Sequence, residues 1–420
     1  MQKETARTIN NTAMLYILTI AKMIFPLITL PYLTRILSKD CYGMVSYVKS
    51  CMVYVQLIID FGFLLSSVRD IVKAKNDIKK IGVITGNTFV AKTFLLALAA
   101  IVLVVMAFTI EILRLNLLFT FLSFIAVALS AYLADFLFRG IEKMHIIAIV
   151  YSVMKGISTA LTFVFVNNDT NVLWIPILDI IGTAVAVGIT WCWILKLKIK
   201  VKCDSIKRCL AMLKDSFNYF ISNMATTAFG ALNTFLIGIC ITDIGQVAYW
   251  SVCMQIISAI QNLYTPIING IYPQMVREKN LRIIHKVLLI FMPIVIIGCG
   301  ACFFLAKFAL FIVGGEKYVD AYILFRWLIP ILLFSFPGML YGWPTLGAID
   351  KVKETSLTTI ITAIVQVTGL GLLILTDKFT LINIAILRGI TELLMMVMRM
   401  SITYKNKKLF LKTENCDEDC

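Results

Sequence analysis

The chain has 420 residues, of which 60% are hydrophobic and only 15% are charged, and its formal net charge is +15. An ordinary soluble domain carries about 25% charged residues, so this composition excludes a water-soluble fold. The positive charge does not indicate a nucleic-acid partner, because most Lys and Arg residues fall in the short polar breaks between apolar stretches. We therefore expect an all-α integral membrane protein.

Apolar stretches of about 20 residues, the length that crosses a bilayer as an α-helix, recur along the whole chain. Twelve such stretches can be distinguished, which predicts about 12 transmembrane helices. Their predicted limits are residues 11–37, 44–68, 81–108, 115–138, 146–166, 173–195, 216–240, 247–270, 287–313, 322–346, 356–376 and 380–402.

The distribution of Lys and Arg predicts the orientation of these spans. With the N-terminus in the cytoplasm, 26 of the 39 Lys and Arg residues lie on the inner side, 5 on the outer side and 8 within spans. The positive-inside rule then places both termini in the cytoplasm. We expect an N-terminal six-helix lobe (1–195), a basic cytoplasmic loop (196–214), a C-terminal six-helix lobe (215–404) and a cytoplasmic tail (405–420).

The two predicted lobes are similar in sequence. YGMVSYVKSCM in the first aligns with IGQVAYWSVCM in the second at an offset of 202 residues, with five identities in eleven positions. GIEK at 140–143 aligns with AIDK at 348–351 at an offset of 208. Because six spans return the chain to its starting side, the pattern predicts parallel repeats related by a pseudo-two-fold axis along the membrane normal.

A polar stripe follows the second predicted span. Lys49, Gln56, Asp60 and Ser67 are spaced so that they lie on one face of a continuous helix. Shifting each position by 202 residues gives Ser251, Ser258, Asn262 and Asn269. Hydrogen bonding between helices is the alternative interpretation for any one of these residues. Matching stripes on repeated helices favour a central polar cavity.

Further charged residues lie inside predicted spans, namely Lys22, Lys92, Lys155 and Arg388. A charge that faces lipid at mid-depth costs roughly 2.5 to 3.5 kcal/mol, so we expect these groups to face a wet interior or a partner. The candidate substrate-binding residues are therefore Lys22, Lys49, Gln56, Asp60, Lys92, Lys155, Asn262 and Arg388. The four lysines outnumber the three aspartates buried in the first lobe, which predicts a mildly cationic cavity there.

Some charges have structural alternatives. Asp135 with Arg139, and Arg388 with Glu392, are spaced for ion pairs one helical turn apart. Arg399 lies near a helix end, as do Lys307 and Arg326, and we expect these side chains to extend to the membrane interface.

The sequence predicts neither a catalytic nor a metal site. The two histidines, His145 and His285, fall in inner loops and cannot form a cluster. Cys299 and Cys302 have redox spacing, but they lie in an apolar segment beside two glycines, which favours helix packing. The acidic end at 416–420 is interpreted as a solvated tail rather than a metal site.

Several motifs in the first 145 residues resemble one family. FPLITLPYLTRILSKDCYG is followed by LIIDFGF, SVRDIVKAKND and, after the fourth span, FRGIEKMH. This pattern resembles the bacterial Wzx-type oligosaccharide-lipid flippases of the multidrug/oligosaccharidyl-lipid/polysaccharide exporter superfamily. The resemblance implies two six-helix lobes around a central cavity that opens alternately to each side. It also implies that buried cations contact a pyrophosphate, and Lys22 and Lys49 fit that role best.

The resemblance further implies the cargo: polyprenyl-pyrophosphate-linked oligosaccharide repeat units, carried from the inner to the outer leaflet of the bacterial cytoplasmic membrane for O-antigen or capsule assembly. The bilayer, and polysaccharide polymerase machinery, are the other implied partners. No cofactor is expected beyond a coupling ion, H⁺ or Na⁺. A cation-coupled small-molecule exporter would favour an aromatic, acid-lined cavity, and a membrane polymerase or ligase would favour a large outer loop with clustered acid, base or Arg groups.

Overall fold

A computed structural model gives the fold and describes residues 2–74, 77–227, 230–241 and 243–410, without the side chains of 2–13, 15 and 218. Within these ranges every regular element is a helix. Helices satisfy their own backbone hydrogen bonds, which is what a chain in lipid requires. The predicted all-α membrane fold is therefore confirmed, while the acidic tail at 416–420 lies outside the described residues.

The chain divides into two compact units, Met1–Met224 (the first unit) and Ala225–Cys420 (the second unit). The helices that begin in the first unit are α1 (Gln2–Ile36), α2 (Lys39–Asp60), α3 (Phe63–Lys73), α4 (Ile78–Thr109), α5 (Glu111–Leu115), α6 (Leu117–Ser130), α7 (Asp135–Gly140), α8 (Met144–Phe165), α9 (Trp174–Lys196) and α10 (Ile206–Thr227). Those of the second unit are α11 (Ala231–Cys240), α12 (Ile244–Glu278), α13 (Leu281–Phe304), α14 (Ala306–Gly314), α15 (Tyr322–Leu340), α16 (Val352–Leu375) and α17 (Leu381–Lys405).

Among the described residues, ten helical segments are long and apolar enough to cross a membrane, and the bent pair formed by α10 and α11 raises the number to eleven. The predicted twelve is therefore one or two too high by this criterion. The remaining predicted span, 247–270, is helical but belongs to α12, which is not among these segments. This segment is long enough to cross a membrane, but its polar residues, among them Gln255, Gln261 and Asn262, lower its hydropathy.

The second unit repeats the helix packing of the first. Helix α6 packs against α2, α4 and α9, and α8 packs against α9; α15 likewise packs against α12, α13 and α17, and α16 against α17. The loops before α8 and α16 are also alike. Glu142 and Asp350 both have left-handed backbone conformations, and the amides of Lys143 and Lys351 each donate a 2.8 Å hydrogen bond to the carbonyl five residues earlier. The GIEK and AIDK alignment thus marks a repeated turn.

The second predicted span, 44–68, is not one continuous helix. Phe61 and Gly62 have positive φ angles of 41° and 80°, and they separate α2 from α3. A side chain at Gly62 would lie 2.6 Å from Cβ of Tyr219, so glycine also allows α10 to approach closely. The predicted four-residue stripe is therefore wrong in its last member, because Ser67 lies on α3, is buried and bonds to Thr88 at 3.0 Å.

Arg399 does not extend to the membrane interface as predicted. Its side chain is buried in the second unit, where Nη1 donates to the carbonyl of Gly338 at 2.8 Å and Nε and Nη2 donate to Thr358 and Thr359. The helix of Gly338 is irregular just beyond this point, since Gly342 has a non-helical ψ of −112°. The Arg399 guanidinium thus lies beside the irregular turn at Gly342 and donates to the carbonyl of Gly338, one turn earlier in the same helix.

The interpretation of the Cys299–Cys302 region as helix packing holds for Cys299, which packs against the buried cluster of Tyr264, Val295 and Phe336, but not for the neighbouring glycines. A side chain added at Gly298 or Gly300 would meet nothing within 4 Å. The residues are helical, in α13, and the two cysteines are partly exposed free thiols. Close approach of another helix is therefore not the reason for these two glycines.

The segment after α9 lies against α4. The amide of Lys202 donates to the carbonyl of Gly82 at 3.3 Å, and the amide of Asp204 donates to Oδ1 of Asn87 at 3.0 Å. Carbonyl groups of the segment occupy the space that side chains at Gly82 and Gly86 would need. We call residues 199–205 the inlaid linker, because its backbone fits a surface that only glycines leave open.

The contacts of α10 explain where the chain divides into its two units. Ser216 on α10 bonds to Ser66 on α3 at 2.6 Å, and Phe220 stacks on Phe61 with ring centroids 4.6 Å apart. The first part of α10 therefore packs with the first unit. The division at 224/225 consequently falls inside α10, later than the predicted lobe start at 215.

Gly86→Ala should release the inlaid linker, because the new Cβ would collide with the backbone of Lys202 and Cys203. The expected result is faster tryptic cleavage after Lys200 and Lys202 in the detergent-extracted protein. Gly188→Ala is the matched control, since a Cβ there meets nothing within 4 Å. Equal cleavage rates for the two variants would show that the linker is not held by this contact.

Candidate functional site

A first polar cluster joins α2, α4 and α6. Nζ of Lys92 donates to Oδ1 of Asp60 at 2.8 Å, and Nε2 of Gln56 donates to Oδ2 of the same carboxylate at 2.7 Å. Oγ of Ser130 donates to Oε1 of Gln56 at 2.8 Å. Lys92 is thus held by an acid, and its Nζ also lies 5.8 Å from the ring centroid of Phe136. We call Gln56, Asp60, Lys92 and Ser130 the Asp60 cluster.

A second polar cluster joins α8 and α9. Nζ of Lys155 donates to Oδ1 of Asp179 at 3.1 Å, and Oγ of Ser158 donates to the same oxygen at 2.8 Å. Lys49, which is exposed on α2, interacts electrostatically with both Asp179 and Lys155. These four residues form the Asp179 cluster, in which one carboxylate balances two lysines.

Lys22 interacts with residues that are associated with both clusters. Its Nζ is 5.4 Å from the ring centroid of Tyr151 on α8, and that tyrosine interacts electrostatically with Lys155 and Asp179. On its other side, Lys22 interacts with Asp135, which also interacts with Arg139, Lys92 and Asp60. The six predicted site residues of the first unit are therefore brought together in one extended polar region.

This region carries an excess of positive charge. Its cations are Lys22, Lys49, Lys92, Arg139 and Lys155, and its acids are Asp60, Asp135 and Asp179. Five cations against three carboxylates leave a net charge of +2. All of these residues belong to helical segments of membrane-spanning length, in which a charge is costly unless it is paired or hydrated.

The ion pairs differ in the exposure of their side chains. Both side chains of the Lys155–Asp179 pair are partly accessible, at 37% and 24% exposure. In the Lys92–Asp60 pair the lysine is only 8% exposed and the carboxylate 42%. The Arg388–Glu392 pair of α17 is sealed, with 9% and 4% exposure and a separation of 2.6 Å.

The second unit holds the other two predicted site residues in different surroundings. Arg388 forms the sealed pair with Glu392, so the structural alternative predicted for these two residues is the one observed. Beside it, Thr391 donates to Gln366 and Gln366 donates to Asn233, and all three are fully buried. Asn262 is exposed on α12. Of its stripe, Ser251 is buried, whereas Ser258 and Asn269 are exposed.

Sequence reasoning missed several partners. It counted Asp179 as a buried acid but did not connect it to Lys155 and Ser158, because the contact joins different helices. It also missed Ser130 and Tyr151. Their only sequence signal is a polar atom within an apolar span, which many hydroxyl residues share.

Neither cluster resembles a metal centre. Among the residues that the structure describes, no group of three or more His, Cys, Asp and Glu side chains could hold a metal ion. The arrangement is suited instead to binding an anionic group through lysine ammonium and hydroxyl donors.

Comparisons with known proteins agree with these observations. Residues 8–279 match the polysaccharide biosynthesis protein family. A candidate O-antigen transporter of Shigella dysenteriae is 28% identical over 272 residues, which are 63% of this chain and 66% of that protein, just under two thirds of its length. A candidate O-antigen transporter of Escherichia coli (strain K12) is 24% identical over 398 residues, covering 92% of this chain and 94% of that protein.

The fold is that of known transporters. An inward-facing multidrug resistance MATE family transporter of the MOP superfamily matches with a TM-score of 0.67 at 12% identity, over 93% of this chain and 99% of that one. A mutant of the Vibrio cholerae MATE transporter VcmN matches with a TM-score of 0.59 at 13% identity, over 98% and 100% of the two chains. Since the family match covers more than half of the chain, this multi-pass membrane protein belongs to the polysaccharide biosynthesis protein family.

Proposed function

We propose that this protein is a flippase that moves polyprenyl-pyrophosphate-linked oligosaccharide repeat units from the inner to the outer leaflet of the bacterial cytoplasmic membrane by alternating access. Family membership and relatives named as O-antigen transporters support transport for polysaccharide assembly. The observation that best supports an anionic, lipid-linked cargo is the net positive charge of the polar region in the first unit.

The chemistry of the cargo requires such a region. Neither a pyrophosphate nor a sugar can cross hydrocarbon without replacing the hydrogen bonds that it makes with water. Lysines, serines and amides supply fixed donors along the path. Lysine binds phosphate as a point charge rather than through the bidentate fork of arginine, which suits a headgroup that must be released again.

Accessibility assigns roles to the lysines. Lys22 and Lys49 are exposed and Lys155 is partly exposed, so these three can contact a headgroup. Lys92 is nearly buried against Asp60, so its role is to hold α2 and α4 together. Lys49 is in the middle of α2, where exposure to lipid would be costly, and it therefore faces a hydrated path. Asn262 remains a candidate for sugar contact, whereas the sealed Arg388 is assigned to packing.

A small-molecule exporter is the weaker candidate. A cation-coupled exporter would favour an acid-lined cavity, and the first unit has more cations than acids.

The proposed direction of transport requires both termini and the linker to be cytoplasmic. The 26 to 5 distribution of Lys and Arg supports this orientation. A phosphatase that is active only outside the cytoplasm, fused after Lys200, should be inactive, whereas a fluorescent protein fused there should fluoresce. An active phosphatase at this position would reverse the orientation.

Removing the protein should leave lipid-linked repeat units on the inner leaflet, because no other route carries their polar headgroups across. The measurement is leaflet-specific labelling of the repeat units in a strain without a second flippase. Restoring the gene should return the label to the outer leaflet. Normal outer-leaflet labelling in the deletion strain would contradict the proposed function.

Lys49→Ala should reduce surface polysaccharide to about a tenth or less, since a charge-assisted hydrogen bond contributes about 1.5 to 3 kcal/mol. Lys49→Arg should keep part of the activity, because the cation remains while its shape changes. Ser251→Ala, at the position related to Lys49 by the 202-residue repeat offset, should be close to wild type. Asp179 keeps Lys155 as a partner in Lys49→Ala, so we expect normal amounts of folded protein.

Surface polysaccharide and membrane-extracted protein are measured together for all three variants. Normal polysaccharide from Lys49→Ala at a normal protein level would remove Lys49 from the site. A proportional loss of both would show that the lysine stabilises the fold instead.

A further inference from the structure

Asp179 is placed differently from Asp60 and Glu392, which also form ion pairs within helical segments of membrane-spanning length. It balances two lysines, one of them through a 3.1 Å contact with Lys155, and both partners of that contact remain partly accessible. The Arg388–Glu392 pair has almost no exposure, so an incoming ligand cannot reach it. An ion pair in which both side chains are partly accessible is one in which a ligand can replace one partner.

We propose that Asp179 is the resident counter-anion of the binding site, and that a phosphate group of the substrate displaces it from Lys155, while Lys49 supplies a second cation for that phosphate. This inference rests on the proposed function and adds a specificity-determining residue to it. The substrate class that it selects is a lipid with a phosphorylated headgroup, since an uncharged polyprenol or glycolipid has no anion to exchange.

The hydrogen bonds of Asp179 allow a phosphate to replace it as the partner of Lys155. Oδ1 of Asp179 accepts hydrogen bonds from both Nζ of Lys155 and Oγ of Ser158, at 3.1 Å and 2.8 Å. When the lysine turns to a phosphate, the serine still satisfies the carboxylate. Lysine has four methylene groups between backbone and ammonium, so it can move while Asp179 stays in place.

The exchange also accounts for release. Two lysines without a counter-anion would hold a phosphate strongly, and the empty site would leave like charges uncompensated in a poorly solvated place. With Asp179 present, the departing phosphate is replaced by a carboxylate that is already bonded to Ser158. Substrate affinity is thereby lowered and turnover is made possible.

The test uses the full chain, purified in detergent, with farnesyl pyrophosphate and uncharged farnesol as probes. Asp179→Asn retains the shape and an acceptor oxygen for Ser158 but removes the charge. It should bind farnesyl pyrophosphate at least about fivefold more tightly than wild type, as expected for the loss of one competing charge at close range. Its binding of farnesol should match that of wild type.

Two further variants separate the inference from a structural role. Lys155→Gln should weaken pyrophosphate binding, since the exchanged cation is lost. Asp243→Asn is the matched control, because Asp243 accepts from the amide of Gly245 at the start of α12 and an amide oxygen can still accept there. It should bind both probes as wild type does. In cells, Asp179→Asn should yield less surface polysaccharide than wild type at equal protein level, because release is slowed.

Weaker or unchanged pyrophosphate binding by Asp179→Asn would overturn the inference, because Asp179 would then orient the lysines rather than compete for them. Absence of pyrophosphate binding by wild type would overturn it as well. Neither result decides the proposed function, which is tested separately by leaflet labelling of the deletion strain.

Discussion

The compensation of charge inside the bilayer is the constraint on which the rest of this structure depends. An isolated ammonium or carboxylate at mid-depth is costly, so each must find an opposite charge, a hydrogen-bond partner or water. The first unit meets this requirement with an incomplete balance. Asp60 compensates Lys92, and Asp179 is shared between Lys155 and Lys49. The residual positive charge requires hydration or an anionic ligand.

The repeat shows that this charge is an addition to the scaffold rather than a part of it. Helix α8 packs against α9 as α16 packs against α17, and similar left-handed residues precede α8 and α16. Between α8 and α9, however, lie a lysine, a serine and an aspartate, whereas Gln366 and Thr391 lie between α16 and α17. One packing arrangement thus supports an accessible ionic site in one unit and a buried neutral network in the other. The two units thus share a helix packing arrangement but differ in the polar residues that it holds.

The sequence predicts the helices well because apolar length and the positive-inside rule act locally. It also indicates candidate site residues in the first unit, since Lys49 and Lys155 stand out in any apolar window, and their roles stay predictions. It cannot predict which acid each lysine meets. Asp179 is 24 residues from Lys155 along the chain, and that partnership depends on how α8 and α9 pack.

The errors have the same origin. Arg399 is near a helix end in sequence, which favours an interfacial position, but an irregular helix nearby supplies a buried carbonyl that attracts the guanidinium. The break at Phe61 and Gly62 interrupts a stripe that a continuous helix would have kept. Backbone irregularities of this kind depend on tertiary contacts such as that of Gly62 with Tyr219. They cannot be predicted from the periodicity of one segment.

The inlaid linker has a consequence for how this protein can change during evolution. It is recognised through its backbone, at Gly82 and Gly86, while the side chains of Lys200 and Lys202 remain exposed. Backbone recognition places little demand on the identity of the exposed lysines of the linker, although its Ile199 and Val201 side chains pack in the core of the first unit. It places a strict demand on the two glycines opposite. The linker can therefore gain or lose positive charge to suit membranes of different anionic lipid content, with its backbone contact to α4 kept unchanged. Adaptation to a new membrane would therefore change the charged residues of the linker, whereas Gly82 and Gly86 of α4 would stay unchanged.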